Sequence, residues 1–473
     1  MNTTNLPTTS KHSSGIDRRG FLRRSAAGAA FSLPYFIPAG VLGKPGQPGA
    51  NDRVNVGIIG LGGRARQIAK TCLGMGGLRI VAVCDCFAPR CDEFVRAVDS
   101  NQNWSVYEDF RRMIDQENLD GVLIETPAHA RAWITIQAMQ AGMDAYIEKP
   151  MSLTIAEGRA MVEAARRYQR VTQVGTQQRS MPINNWASDL VKNGAIGKVH
   201  TVLAPNFVGP ERWRTQPPDP MPTGGSDHWW DVWTNQAELR SYHTAIHRDW
   251  MRWWDYDGGG MCYGVTGWGA HALDQVQRAL GTDATGPVEV WLEEKVHVAP
   301  AGKFETVQAD DTALEYLRRL AKPVVGPRAK VRMKYQSGTE LRLHLNGDWG
   351  PGLGAIFIGE KGKIEINRNK IASNPKSLVQ TPENPGPIQK PETQYHLENW
   401  IQCIRTRQRC TADIEYGQRS STLCLLVNIA RDVGQVGKKL HWNLATERFT
   451  NCAEGNQLLW RSRRAGYELP KLA

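Results

Sequence analysis

The sequence has 473 residues, of which 41% are hydrophobic and 22% charged, as expected for a folded globular protein with room for two large domains. The formal net charge is +11, but the basic residues form no stripe and match no nucleic-acid-binding module, so no nucleic-acid partner is expected. The nine cysteines are irregularly spaced, which predicts neither a disulfide framework nor a metal site.

The first 44 residues predict an export leader. Arg18 and Arg19 stand shortly before Phe21, and an apolar, alanine-rich run follows that is interrupted by Pro34 and Pro38. This order is typical of a twin-arginine signal. The alternative is an N-terminal membrane anchor, which is disfavoured because the run is short and broken by proline. We therefore expect a periplasmic protein that folds before export and whose mature form has no stable membrane span.

A glycine-rich turn follows the first predicted strand, 54–59. Its spacing is Gly60-x-Gly62-x-x-Ala65, and a helical pattern continues to Cys72. In this motif the first glycine makes the tight turn and the second lets a pyrophosphate approach the backbone. The helix N-terminus then presents its amides to the phosphates. We therefore predict that Gly60, Gly62, Gly63 and Arg64 bind a dinucleotide.

The next predicted strand, 79–85, ends at Asp85, in the place of the carboxylate that accepts hydrogen bonds from the adenosine ribose. This acid favours NAD over NADP, because the 2′-phosphate of NADP would meet its negative charge. Arg90 lies close enough in sequence to weaken that preference, so NADP stays possible.

Strands and helices then alternate, which predicts a doubly wound parallel sheet over residues 52–178. The helix after the strand 144–148 begins with the capping box Thr154-x-x-Glu157. Further strands are predicted at 120–126 and 171–176, and further helices at 108–115 and 130–141.

Two motifs follow strands of this predicted sheet, Thr126-Pro127-x-His129 and Glu148-Lys149-Pro150. Because ligands bind outside the carboxyl ends of such strands, both motifs are expected to face the cofactor. Lys149 can offer a proton and a positive charge to a substrate oxygen. A helix-capping role for His129 and a surface Glu-Lys pair at Lys149 are the alternatives.

Together these motifs resemble the glucose–fructose oxidoreductase, inositol dehydrogenase and rhizopine-catabolism (Gfo/Idh/MocA) family. The segments 174–179, 258–274 and 396–430 add to the resemblance, which covers roughly residues 52–465. It implies that Lys149 contacts both the substrate hydroxyl and the nicotinamide ribose, with Gln177 at the cofactor and Arg179 at the substrate. It also implies a carbohydrate or cyclitol substrate and a homo-oligomer, dimeric or tetrameric.

The resemblance further implies that residues 179–445 form an α+β domain with an open, mostly antiparallel sheet, and we expect 446–473 to pack on the body as a tail. Predicted strands lie at 197–204, 287–293, 329–335, 340–345 and 355–366, and a predicted helix at 184–193. An insertion, 205–257, carries seven tryptophans. We predict that most of these rings pack the insertion itself, while Trp253 contacts the substrate as part of a sugar platform.

The segment 258–274 should carry the second catalytic group. In dehydrogenases of the family an Asp stands four residues before the motif His271, and Gly267 occupies that position here. His271 is predicted as acid/base or substrate clamp, with Asp274 one helical turn beyond to orient its ring and contact substrate. Tyr263 is the other candidate acid/base. A buried structural histidine is the alternative for His271.

Three functions follow from this pattern. The leading one is an exported nicotinamide-dependent oxidoreductase with retained cofactor, acting on secondary hydroxyls of a sugar, cyclitol or glycoside. The second is an NAD-dependent glycoside hydrolase or lyase, in which transient oxidation at C3 permits elimination of the leaving group. The third is a catalytically silent, nucleotide-loaded sugar-binding protein.

Overall fold

Apolar strands that alternate with helices fold the N-terminal half of the protein into one parallel sheet. The computed structural model describes residues 53–300, 325–345 and 351–472, so the predicted signal 1–44 lies outside the described residues. The strands are β1 (Val54–Ile59), β2 (Leu78–Cys84), β3 (Ser105–Tyr107), β4 (Gly121–Ile124), β5 (Asp144–Ile147) and β6 (Thr172–Val174). The helices between them are α1 (Gly63–Leu73), α2 (Ala88–Val98), α3 (Phe110–Gln116), α4 (Ala128–Gln140) and α5 (Ile155–Arg167).

The sheet has the order β3-β2-β1-β4-β5-β6, and all its neighbouring strands are parallel. This confirms the predicted doubly wound architecture. The strand order reverses between β1 and β4, so their carboxyl ends open a crevice at the position where such sheets bind ligands. The predicted capping box is present, because the Thr154 hydroxyl accepts from the Glu157 amide while the Glu157 carboxylate accepts from the Thr154 amide.

The second half of the chain builds a nine-stranded sheet. Its strands are β7 (Val199–Pro205), β8 (Pro287–Leu292), β11 (Val331–Tyr335), β12 (Glu340–Leu345), β13 (Ala355–Gly359), β14 (Gly362–Asn367), β15 (Lys370–Asn374), β16 (Leu440–Asn443) and β17 (Arg448–Phe449), and β9 (His297–Pro300) with β10 (Val325–Arg328) forms a separate ribbon. The order in the nine-stranded sheet is β15-β14-β13-β7-β12-β11-β8-β16-β17. Neighbouring strands are antiparallel except β7 and β12, which confirms the predicted open, mostly antiparallel sheet.

The predicted single strand 355–366 is in fact the hairpin of β13 and β14. Gly362 has φ +153°, and a side chain there would meet the carbonyl of Asn374 at 2.5 Å, so the chain reverses at a position that only glycine fills without strain. The structure also adds β3 and α2, which were not predicted.

Helices cover one face of the second sheet and supply its core. They are α6 (Pro182–Lys192), α9 (Trp268–Leu280) and α11 (Ile414–Val433), whereas α10 (Glu392–Thr406) packs against the first sheet through the fully buried Trp400. The short helices are α7 (Trp229–Thr234), α8 (Thr244–Asp249) and α12 (Ala453–Gln457). Within the described residues, no helix combines the length and the apolar character that crossing a bilayer requires.

Candidate active site

The glycine turn lies at the crevice between β1 and β4. Gly60 has φ +88°, and a Cβ there would lie 2.8 Å from the Thr126 amide nitrogen, so no other residue fits. A Cβ on Gly62 or Gly63 would meet nothing within 4 Å. Gly62 is the N-cap of α1 and provides no side-chain cap, so the first-turn amides keep their donor capacity. Open space in front of uncapped amides fits a pyrophosphate.

Asp85 follows β2 and lies beside the glycine turn. Its Oδ2 accepts a hydrogen bond from the Leu61 amide at 2.9 Å, and its Oδ1 accepts from the Phe87 amide at 3.1 Å. Burial raises the pKa of this carboxyl, and the charge of Arg90 opposes the shift. These amide contacts hold the acid where the sequence predicts a partner for the adenosine ribose.

Glu148 joins the predicted cofactor residues into one network. Its Oε1 accepts from Arg64 Nε at 2.8 Å and from Gln177 Nε2 at 3.0 Å, while its Oε2 accepts from the Lys149 amide at 2.8 Å. A Cβ on Gly175 would lie 2.8 Å from the carboxylate, so the close approach depends on that glycine. Burial disfavours the charged form, but the cations Arg64 and Lys149 outweigh it, and the pKa of Glu148 is lowered.

Lys149 stands half-buried just beyond the end of β5. The carbonyl of the next residue, Pro150, accepts a hydrogen bond from the buried Arg131. Burial lowers the pKa of the Lys149 ammonium, and the carboxylates of Glu148 and Asp257 oppose the shift. Glu148 accepts hydrogen bonds both from the Lys149 amide and from Arg64 in the first turn of α1, so this network connects Lys149 to the glycine turn.

The turn before α9 explains the missing acid. A Cβ on Gly267 would lie 1.9 Å from the Met261 carbonyl oxygen and 2.6 Å from that of Gly260, so the backbone fills the space that an aspartate would need. Tyr263 in this turn has φ +56° and is buried against the ring of Trp268, with 4.5 Å between centroids. A tyrosine in the left-handed region is strained, which is common at functional sites.

His271 lies in the first turn of α9 and is 5% exposed. Its Nδ1 has no hydrogen-bond partner in the part of the chain that the structure describes. Burial, together with the charges of Arg368 and Lys149, holds the pKa of His271 well below its usual value. The ring is therefore neutral at neutral pH and can accept a hydrogen bond.

Arg179 and Asp274, both predicted to contact the substrate, form a buried ion pair with each other. Arg179 Nε donates to both oxygens of Asp274 at 2.8 Å, and Arg179 Nη2 donates to Asp283 at 2.8 Å. Ser420 donates to Asp274 Oδ1 at 2.7 Å. The Arg179 and Asp274 side chains are 3% and 1% exposed. Each therefore binds the other inside the protein, and neither points to the crevice or to His271.

The predicted nicotinamide contact of His129 is also not supported. The ring is fully buried, and its centroid lies 5.2 Å from that of Trp233 and 5.0 Å from that of Tyr256. Its Nε2 is 2.7 Å from the Trp233 carbonyl oxygen. His129 therefore fastens α4 to the tryptophan-rich insertion. Thr126 and Pro127 remain at the crevice, at the carboxyl end of β4.

The tryptophans of the insertion pack mainly against one another. Trp230 and Trp233 stack at 4.9 Å with an interplanar angle of 10°. Trp253 meets Trp213 edge-on at 4.9 Å, lies under Arg252 and donates Nε1 to the Ala245 carbonyl. These contacts occupy its ring, so the predicted sugar platform at Trp253 is not supported.

Glu125 and Thr176 are functional candidates that the sequence analysis missed, in addition to the predicted Thr126. Both carboxyl oxygens of Glu125 and the hydroxyls of Thr126 and Thr176 are buried at strand ends without hydrogen-bond partners among the described residues. Burial and the charge of Glu148 hold the pKa of Glu125 well above its usual value. Unpaired buried polar atoms at a crevice fit a polar ligand such as a dinucleotide. The acidic residue at the end of β4 was the available sequence signal.

Comparison with protein families gives two matches. Residues 54–176 match the oxidoreductase family described as an NAD-binding Rossmann fold (GFO_IDH_MocA), and residues 206–312 and 318–469 match the C-terminal alpha/beta domain of that oxidoreductase family.

Curated relatives match over shorter stretches. A glycosyl hydrolase family 109 protein of Shewanella pealeana is 25% identical over 256 residues, which are 48% of this chain and 53% of that protein. The scyllo-inositol 2-dehydrogenase (NAD+) of Bacillus subtilis is 28% identical over 147 residues, 31% of this chain and 42% of that protein. The chain thus spans about half the length of the curated relatives it matches.

Solved structures share the fold over most of the chain. The WlbA dehydrogenase from Bordetella pertussis, in complex with NADH and UDP-GlcNAcA, has a TM-score of 0.53 at 17% identity, covering 83% of this chain and 99% of that one. The aldose-aldose oxidoreductase from Caulobacter crescentus, complexed with glycerol, has a TM-score of 0.52 at 18% identity, and the match covers 82% of this chain and 99% of that one.

Proposed function

The chain belongs to the Gfo/Idh/MocA oxidoreductase family, and we propose that it is a nicotinamide-dependent oxidoreductase acting on a secondary hydroxyl of a sugar, cyclitol or glycoside. Residues 54–176 form the NAD-binding domain of the family. The observation that carries the proposal is the position of Lys149, which stands at the carboxyl end of β5 and is linked to the glycine turn through Glu148 and Arg64.

The residues around the crevice would have separate roles in such a reaction. The uncapped N-terminus of α1 would hold the phosphates, and Asp85 would hold the adenosine ribose. Bound NAD supplies the acceptor for a hydride from the carbinol carbon. The hydroxyl proton must then go to a protein base.

Lys149 is placed to hydrogen-bond the reacting oxygen, and its lowered pKa brings proton exchange nearer to neutral pH. The neutral ring of His271 can take the proton at Nδ1, which has no partner among the described residues. In the reverse direction the same two groups return the proton to the oxygen of the carbonyl substrate.

We further propose that NAD stays bound through successive oxidation and reduction. The insertion supports this, because Trp229 packs on Phe87 at 4.5 Å and a Cβ on Gly224 would lie 2.9 Å from Pro89. Both contacts cover the segment after Asp85, where the adenosine is expected.

Absorbance and mass spectrometry of the purified protein test whether NAD is retained. Failure of any nucleotide to co-purify contradicts retention, and failure of NAD and NADP to bind contradicts the whole proposal.

Export by the twin-arginine route to the periplasm and assembly into a homo-oligomer complete the proposal. All nine cysteines lie in the described part of the chain and are free thiols, as suits a protein that folds before export. Fractionation of cells that produce the wild-type and the paired Arg18→Lys, Arg19→Lys proteins tests the route, and sedimentation tests the assembly.

A glycoside-cleaving reaction is the second candidate. It is favoured by the matches to glycosyl hydrolase family 109 proteins and by Gly267 in the place of the usual aspartate. Product analysis separates the two reactions. Net release of the aglycone without net accumulation of NADH would favour cleavage, whereas an intact glycoside carrying a ketone would favour simple oxidation.

The decisive experiment is turnover of a panel of sugars, cyclitols and glycosides by the wild-type, Lys149→Ala and Lys361→Ala proteins. Lys361 is an exposed lysine in the β13–β14 turn and serves as the matched control. We expect Lys149→Ala to lose at least about 100-fold in kcat/KM and the control to lose nothing. If Lys149→Ala matched the wild type on every substrate that is turned over, both enzymatic proposals would fail in their assignment of Lys149. If the wild type turned over no substrate, the silent sugar-binding protein would be favoured.

A further inference from the structure

Asp257 is a fully buried carboxylate at the end of the tryptophan-rich insertion. Its amide donates to the Trp253 carbonyl at 2.9 Å, and its Oδ1 accepts from the Thr266 hydroxyl at 2.5 Å. A Cβ on Gly260 would lie 2.8 Å from Oδ1, so the carboxylate packs directly against the Gly260 backbone. Its Oδ2 has no hydrogen-bond partner among the residues that the structure describes.

A buried carboxylate with an oxygen that accepts no hydrogen bond depends on nearby positive charge, because an isolated buried charge is strongly unfavourable. The backbone connections show which cations lie on this side of the site. The residue before Asp257, Tyr256, accepts at its carbonyl from the His129 amide at 3.2 Å, which fixes Asp257 beside the first turn of α4. From that turn Arg131 reaches the Pro150 carbonyl, immediately after Lys149. The same turn of α4 thus connects Asp257 and Lys149.

The charges around the two groups agree with this placement. The charges of Arg131 and Lys149 act on Asp257, and those of Glu148, Asp257, Arg131 and Cys262 act on Lys149. His271 is affected by the Lys149 charge, and the Cys424 thiol by both Lys149 and Asp257. Burial raises the pKa of Asp257 to about 6, and the two cations oppose the shift. Glu148 is already engaged by Arg64 and Gln177, which leaves Asp257 as the carboxylate with an uncommitted oxygen.

The turn that follows Asp257 cannot supply an acid itself. Position 267 has no room for a side chain, because the Met261 carbonyl fills the space. Thr266, the residue before it, instead directs its hydroxyl to Asp257. We propose that Asp257 is the positioning residue for Lys149, supplying from beyond hydrogen-bond distance the negative charge that the backbone excludes at Gly267. This assignment rests on the proposed function for its catalytic meaning, but not for the pairing itself.

In this arrangement Asp257 does not touch the substrate. Its negative charge favours the ammonium form of Lys149, while Arg131 fixes the backbone just beyond the lysine. Removing the Asp257 charge makes Lys149 lose its proton at lower pH, because an opposite charge nearby favours the charged form of a lysine.

Trace acetylation of the protein as purified tests the pairing without any substrate. Acetic anhydride reacts only with unprotonated amines, so the labelling of the Lys149 peptide across a pH series gives the titration midpoint of Lys149, with the exposed Lys361 as internal reference. We expect Asp257→Asn to lower the midpoint of Lys149 by about one pH unit and to leave that of Lys361 unchanged.

The control is Asp413→Asn, which removes another buried aspartate, the N-cap of α11 paired with Arg166. It should destabilise the protein and leave the Lys149 midpoint in place. If Asp257→Asn does not fold, Gly260→Ala replaces it, because the added methyl crowds Oδ1 and displaces the carboxylate; it should lower the midpoint by a smaller amount. An unchanged midpoint in a folded variant of either kind overturns the proposal.

Turnover gives the second measurement. With any panel substrate that the wild type oxidises, Asp257→Asn should move the alkaline limb of the kcat/KM profile to lower pH by the same shift as the labelling midpoint, and Asp413→Asn should not move it. A shifted midpoint without turnover of any substrate would keep the pairing and refute the proposed function. Turnover of a substrate together with an unshifted Lys149 midpoint in Asp257→Asn would refute the pairing and keep the proposed function.

Discussion

Arg64 Nε lies 2.8 Å from Glu148 Oε1, so the first turn of α1 is bonded to the end of β5. The glutamate is 4% exposed and the arginine 31%. Through this ion pair the predicted phosphate site and Lys149 are held in a fixed relation, which is what hydride transfer between a bound dinucleotide and a substrate requires.

Replacing Arg64 by Met should destabilise the protein by about 2 kcal/mol at neutral pH, because Glu148 loses its main counter-charge. The pKa of Glu148 is lowered in the folded state, so its contribution is present above its unfolded pKa and is lost as pH falls through the folded one. The difference between wild type and variant, measured by urea unfolding, should therefore shrink in acid. The exposed pair of Arg111 with Asp109 is the control, since Arg111→Met should cost under about 1 kcal/mol.

Alanine at Gly60 and at Gly62 should have opposite consequences. Gly60→Ala should destabilise the protein without NAD by about 2 kcal/mol or more, because the residue has φ +88° and the new Cβ meets the Thr126 backbone. Gly62→Ala should leave stability nearly unchanged and weaken NAD binding by roughly tenfold, because its Cβ enters the space in front of α1. Thermal unfolding and calorimetric titration with NAD measure the two effects. Equal effects of both variants on stability would contradict this account.

Arg179→Met should act on folding rather than on substrate recognition. It leaves the buried Asp274 without its cation and should cost about 3 kcal/mol of unfolding free energy. Asp283 is 23% exposed, so Asp283→Asn should cost less, about 1 kcal/mol. The KM of any identified substrate should be the same in the folded fraction of both variants. A large rise in KM with unchanged stability would restore the substrate role for Arg179.

Buried neutral histidines should make the protein sensitive to mild acid. Burial lowers the pKa of His129 and of His396 to about 4. The unfolded chain takes up these protons near pH 6.5, so the stabilisation is fully present above that pH and is lost as pH falls towards the folded value. Each histidine should account for about 2 kcal/mol of lost stability at about pH 5. Urea unfolding at neutral and acid pH should show a pH dependence smaller by that amount in His129→Gln.

Local signals in the sequence were sufficient for much of the fold. The Gly60 turn and the Thr154 capping box depend on residues within a few positions of one another, and both appear as predicted. The three-residue strand β3 was missed because so short an edge strand has no periodicity to detect. The helix α2 was missed because Cys91 and Phe94 are its only buried residues.

The site was predictable in part for the same reason. Glu148, Lys149 and Gln177 follow strands, and the strand ends bring them together. The partners of Arg179 and His129 lie about 100 residues away in sequence, at Asp274 and Trp233. No local pattern distinguishes an arginine that pairs with a distant carboxylate from one that binds a substrate.

The carbonyl of Met261, 1.9 Å from where a Cβ of residue 267 would stand, also limits which substitutions this protein can accept. An aspartate at that position cannot be accommodated alone, because the whole turn from Gly258 would have to be rebuilt with it. Homologues that share the compact turn should therefore form a separate branch, in which any regained acid appears elsewhere in the chain.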